Sequence, residues 1–239
     1  MKIHSVAWGW TPTPEDMPIG DSPMRIADSV KALGFDGVDY LSTCESLDQY
    51  FTPELCARPK AHLKSLNLDM GGFVFQSDVW NDPDEAAQLR QLTYFRKCAD
   101  AAAALGAPII SCIIPRPFGA KPTRASASPS EKHALNLPKG YCWQSDWRLF
   151  SEMLGKACDI AAKHGIDVAL ECFPGSLCST PHAMLKIIED VDRPNFGIQL
   201  DTAHLMNQHI DVETAIYMLG DKNIRHVHLK DSDGLTRGN

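Results

Sequence analysis

The chain has 239 residues, 44% of them hydrophobic, and 30 Asp plus Glu against 23 Lys plus Arg give a formal net charge of −7. That length suits one large α/β domain or two small ones, and the acidic balance argues against nucleic acid, whose phosphates need clustered Lys and Arg. No apolar run approaches the roughly 18–20 residues that span a bilayer, "MKIHSVAWGW" lacks the apolar stretch of a secretory signal, and eight cysteines without a C-x-x-C pair read as reduced thiols, so a soluble cytoplasmic protein is expected.

Strand and helix patterns then alternate along the chain. "IHSVAW" (3–8) predicts a strand. "SPMRIADSVKALG" predicts a helix with Ser22 as N-cap, Pro23 in its first turn and Gly34 past its end. "GVDYL" (37–41) predicts a second strand and 53–65 a helix opened by Thr52 and Pro53. "LDMGGFVF" (68–75) is a third strand. The long helix that follows has Asp82 as its cap and Gly106 as its stop, and "PIISCII" (108–114) is a fourth strand. Residues 115–145 are rich in Pro, Ser, Lys and Gly and lack periodicity. So long a loop in a compact domain reads as a lid ahead of disorder, with Phe118, Tyr141 and Trp143 as apolar walls. The rhythm resumes with a helix at 146–164, a strand at 167–173 and a helix capped by Ser179 or Thr180. A strand at 196–201, a helix at 211–219 and a strand at 224–231 complete the series.

Seven strand–helix steps without a second compositional zone predict one parallel-stranded domain over 1–239, a (β/α)8 TIM barrel with the eighth strand missing. That strand is due about 25–35 residues after the seventh, whereas the chain stops at Asn239, inside the following loop. A fragment without its C-terminal strand and helix is expected ahead of a seven-stranded variant.

The last three strands each carry one apolar face and one face that turns polar at its C-terminal end. In "VALECF", Ala169 and Glu171 oppose Val168, Leu170 and Cys172. In "FGIQLD", Gln199 and Asp201 oppose Phe196, Ile198 and Leu200; in "RHVHLK", His226, His228 and Lys230 oppose Val227 and Leu229. A TIM barrel gathers such ends at its catalytic mouth. Two carboxylates and an imidazole suit a divalent ion. Singly, each has a plainer reading: a surface Glu, an Asp capping the next turn, a His satisfied in the core. Their shared parity at successive strand ends favours the joint reading.

With these pieces in view, the chain resembles the sugar phosphate isomerase/epimerase superfamily of xylose-isomerase-like TIM barrels. The resemblance rests on "GFDGVDY" (34–40), the glutamate of "LECFPGS", "LDTAH" and "HVHLKD". It implies metal binding by Glu171, Asp201 and His228, substrate contacts from His204 and from Arg237 in the last loop, and Glu171 as catalytic base. It implies manganese first, with magnesium, cobalt or zinc as alternatives. A further ligand is usual on the missing strand. "ECFPGS" departs from the pattern, because Cys172 and Phe173 stand where many relatives carry Asn-His.

The expected activity is isomerisation or epimerisation of a keto-sugar or sugar derivative through proton abstraction and an enediolate, a step in carbohydrate metabolism. The alternative is a lyase with the same site chemistry, a dehydratase or an enzyme eliminating a 3-oxo-glycoside, including C-glycoside deglycosylation. Less favoured are an endonuclease IV-like DNA repair enzyme, against which the acidic balance and the lack of a visible second His/Asp cluster both speak, and a partner-dependent subunit. Partners are then a small-molecule sugar, with neither nucleic acid nor membrane, and a homo-oligomer or partner subunit is allowed.

Overall fold

A computed structural model describes residues 2–6, 22–77, 80–122 and 135–232. Seven parallel strands form one sheet in the order β1 (His4–Val6), β2 (Gly37–Ser42), β3 (Asp69–Phe75), β4 (Ile109–Ile113), β7 (Asp167–Glu171), β8 (Phe196–Asp201), β9 (Ile224–His228). The remaining two strands, β5 (Lys121–Pro122) and β6 (Leu135–Asn136), pair antiparallel in the loop after β4. The sequence reading treated all of 115–145 as irregular.

Helices connect the strands: α1 (Ser22–Ala32), α2 (Cys44–Tyr50), α3 (Pro53–Ser65), α4 (Glu85–Leu105), α5 (Trp143–Ala162), α6 (Pro181–Val191), α7 (Thr202–Met206) and α8 (Val212–Leu219). Their starts follow capping chemistry, in which a short polar side chain takes an otherwise unpaired backbone N–H. Thr52 accepts from Leu55, Thr180 from Ala183 and Asp211 from Thr214. Two expected boundaries move. Asp84, not Asp82, caps α4, because its side chain reaches the Ala86 N–H; and α5 starts at Trp143, three residues early. Gly106 ends α4 at φ 89°, a left-handed conformation that suits a residue without a side chain.

The outward faces of the strands are apolar and bury against the helices. Val38, Tyr40, Phe73 and Phe75 are fully covered. Phe75 meets Phe95 of α4 and Trp80 edge-on, with ring centroids 5.6 and 5.9 Å apart. The Tyr40 hydroxyl donates to the Pro23 carbonyl at 2.7 Å, so burial of that ring strands no polar atom.

The inward faces carry the polar residues, and one contact shows that the sheet curls into a barrel. His226 of β9 lies 2.8 Å from Asp39 of β2, although four strands separate β9 from β2 in the sheet order. A flat sheet could not bring them together. Two irregularities in register flank this contact. Val38 pairs with Met70 but Asp39 with Gly72, leaving Gly71 as an extra residue. Ile198 pairs with Ile224 but Gln199 with His226, leaving Arg225 extra. Such bulges re-aim the residues beside them. The second sets His226 and His228 level with Gln199 and Asp201.

Candidate active site

Glu171 ends β7, Asp201 ends β8 and His228 ends β9. The parallel register sets Glu171 beside Gln199 and Asp201 beside His228. Their side chains meet inside the barrel mouth. Glu171 Oε1 lies 3.2 Å from His228 Nδ1 and 3.8 Å from His204 Nε2. Asp201 Oδ2 lies 3.7 Å from His204 Nε2 and 3.9 Å from His228 Nδ1. The geometry thus gathers Glu171, Asp201, His204 and His228. Arg237 lies outside the described residues.

Asp201 carries two roles, one on each oxygen. Oδ1 accepts the His204 N–H at 3.2 Å and caps α7, the plainer role expected of a strand-end Asp. Oδ2 is buried and has no hydrogen bond; Lys230 Nζ comes within 2.7 Å of it, as an ion pair without hydrogen-bond alignment. The same ammonium is 3.9 Å from Glu171 Oε1, so a cation already stands against both carboxylates. Thr202 fixes the backbone of Lys230: its hydroxyl donates to the Lys230 carbonyl at 2.6 Å and accepts the Lys230 N–H at 2.9 Å.

Burial by itself would raise the Glu171 carboxyl, but the His228 hydrogen bond and the charges of His228, Lys230 and His204 hold it below the ordinary carboxylate range. Behind His228 stands Gln199, fully buried. Its amide carbonyl accepts the Ser111 hydroxyl, which turns its NH₂ towards His228 Nδ1 at 2.9 Å. Nδ1 thus stands between the Gln199 amide and the Glu171 carboxylate, and the ring's tautomer sets which of the two it hydrogen-bonds. Alternation exposes Gln199 as an inward polar residue; its pairing with Ser111, 88 positions away, is not visible in the sequence.

A second His/Asp cluster lies on β1, β2 and β9, contrary to the expectation that the chain holds one alone. Ligand atoms of Asp39, His226 and His228 fall within 4.8 Å of one another, and His4 Nδ1 lies 3.7 Å from Asp39 Oδ1. Burial opposes ionisation of Asp39, but the hydrogen bond with His226 and the nearby His4 imidazole carry its carboxyl well below the usual range. The same contact raises His4.

The first cluster fits a divalent ion. Donors that share a small ion each lie about 2.0–2.2 Å from it, and so stand about 3–4 Å apart, the separation found here. Mixed carboxylate and imidazole donors suit manganese, magnesium, cobalt or zinc, and the unbonded Asp201 Oδ2 has a lone pair aimed into the cluster.

Seven parallel strands among the described residues, with carboxylates and imidazoles gathered at the C-terminal end of the sheet, define a TIM-barrel architecture with a candidate metal site. The chain belongs to the xylose isomerase-like TIM barrel family, whose model it matches over residues 27–239. It is 32% identical to the ketose 3-epimerase of Arthrobacter globiformis over 82 residues, 33% of this chain and 28% of that protein. It is 32% identical to the 3-dehydroshikimate dehydratase of Bacillus anthracis over 74 residues, 31% of this chain and 26% of that protein. The matched stretches thus span between a quarter and a third of these curated relatives. Among solved structures, the 3-keto-D-glucoside 4-epimerase of E. coli superposes with a TM-score of 0.72 at 20% identity, covering 97% of this chain and 79% of that one. No helix among the described residues is long and apolar enough to cross a membrane.

Proposed function

We propose that the chain is a divalent-metal-dependent isomerase or epimerase of a keto-sugar or sugar derivative. The observation that carries this reading is the cluster itself: two carboxylates and the His228 imidazole from three separate strand ends, with the His204 imidazole of α7 beside them, 3.2–3.9 Å apart. Epimerases and a dehydratase among its relatives support the same chemistry. Glu171, Asp201 and His228 would hold the ion, manganese first, and His204 and Arg237 would contact substrate.

A bound divalent ion supplies Lewis acidity, which makes the C–H beside a carbonyl removable as a proton. Glu171 is the base. Its surrounding cations keep it ionised at neutral pH and also weaken its proton affinity, so it takes a proton only from a carbon already acidified. Lys230, between the two carboxylates, can offer a proton to a developing oxyanion. The burial of Glu171 and Asp201 excludes water that would otherwise compete for that proton.

The test joins metal content to turnover. Asp201→Ala and His228→Ala are expected to lose bound manganese and activity on ketoses together. Stoichiometric metal with normal turnover in both variants would remove the assignment. A second reading, elimination by the same base, is favoured by the dehydratase relative. It predicts an unsaturated product instead of an epimer, which NMR of the product mixture distinguishes.

A further inference from the structure

Arg116 follows β4 and so opens the loop on the same face as Glu171 and Asp201. Its guanidinium carbon lies 5.7 Å from the Phe173 ring centroid, and that ring lies 6.1 Å from the ring of His204. One aromatic side chain thus separates the guanidinium from the metal-site cluster. Arg116 is half-buried. Among the described residues its guanidinium has neither a carboxylate partner nor a hydrogen bond.

Its backbone, by contrast, is held from several sides. Asn81, 2% exposed, donates to the Arg116 carbonyl at 2.9 Å and to Asp146 Oδ1 at 2.7 Å. Asp146 Oδ2 accepts the Phe118 N–H and the Tyr141 hydroxyl, each at 2.8 Å. Leu177 donates to the Pro115 carbonyl at 3.0 Å. A buried polar network therefore fixes the residue whose charged end has no anionic partner among the described residues. A partly desolvated cation loses hydration that only an anion can replace in full, and the planar fork of arginine matches a carboxylate or phosphate with paired hydrogen bonds. Holding it in place beforehand lowers the ordering cost of binding.

We propose that Arg116 binds an anionic group, phosphate or carboxylate, at the end of the substrate remote from the oxygens that face Glu171 and Asp201, with Phe173 as the platform that orients the guanidinium. This makes the substrate an acidic sugar derivative, and it rests on the functional reading above.

The experiment titrates two matched pairs into the full chain with manganese by calorimetry: D-ribulose 5-phosphate against D-ribulose, and D-fructuronate against D-fructose. One anionic member is expected to bind at least about tenfold more tightly than its neutral partner, as a charged hydrogen-bonded contact implies; the pair that shows it identifies phosphate or carboxylate. Arg116→Met should collapse that preference to within about twofold while manganese stoichiometry stays the same, and Arg116→Lys should restore part of it. Equal binding of both members of each pair, no binding of any of the four, or a preference that survives in Arg116→Met overturns the proposal. Failure of the functional reading appears separately, as absent manganese binding in the wild-type chain. The same four titrations without metal then decide the role of Arg116 by the same criteria.

Discussion

The two oxygens of Asp201 can be separated by substitution. Asn is as good an N-cap as Asp, so Asp201→Asn should preserve the cap on α7 yet weaken metal binding, because an amide is a poorer ligand than a carboxylate. Asp201→Ala loses both, and should be less stable than Asp201→Asn by about 1 kcal/mol in urea unfolding of the metal-free protein. Equal stability of the two variants would remove the capping role. Asp39 and His4 give a pH dependence with two limbs. The Asp39 carboxyl is lowered in the fold from its ordinary 3.8, so its contribution is present above that pH and fades as the pH falls below it. The His4 imidazole is raised from its ordinary 6.5, so its contribution is full below that pH and is lost as the pH rises above it. Thermal unfolding of the metal-free protein should peak between these pH values, and Asp39→Asn should flatten both limbs. At this scale Glu171, Asp201 and His228 were legible, since alternation with a polar end is a local pattern. Asp39 was legible only as part of a motif, because its partners His4 and His226 sit on strands 35 and 187 positions away.

The bulge at Gly71 makes room for the Asp39 cluster. A Cβ there would stand 2.0 Å from His4 Nδ1 and 2.2 Å from Asp39 Oδ1, closer than any real contact. Gly71→Ala should therefore cost about 1–3 kcal/mol by overpacking, measured by urea unfolding, and its penalty should shrink when Asp39 is also changed to Ala. The loop after β4 tests differently. Asp146 ties its described parts together through Phe118 and Tyr141, so Asp146→Ala should raise KM with metal affinity unchanged, as expected of a lid over the mouth. Unchanged KM would leave that loop a structural connection only. The main helices and strands were legible from period and caps. Helix α2 was not: it has seven residues, and its capping box pairs Thr43 with Ser46 instead of the usual Glu or Gln. The β5–β6 pairing was hidden for a related reason, since a two-residue ladder has no periodicity to read.

At the scale of the molecule, the sheet order among the described residues leaves β1 and β9 each with a single neighbour. Val227 on β9 is 51% exposed and Leu229 just beyond it 81%. An apolar strand edge with free backbone groups invites pairing with another chain. The 239-residue chain should therefore associate with rising concentration in sedimentation velocity, and Val227→Lys should reduce that association. The Asp39–His226 contact joins β2 to β9 across the barrel, between residues 187 positions apart. Bringing such distant segments together carries a large loop-closure cost and comes after local strand pairing. The contact is therefore expected to form after the folding barrier is crossed. Asp39→Asn should then hasten unfolding and leave the refolding rate nearly unchanged. The His4–Val6 and Ile224–His228 strands would be the first parts to open, so the wall of the barrel that carries His228 would come apart before the β3–β4–β7 side does.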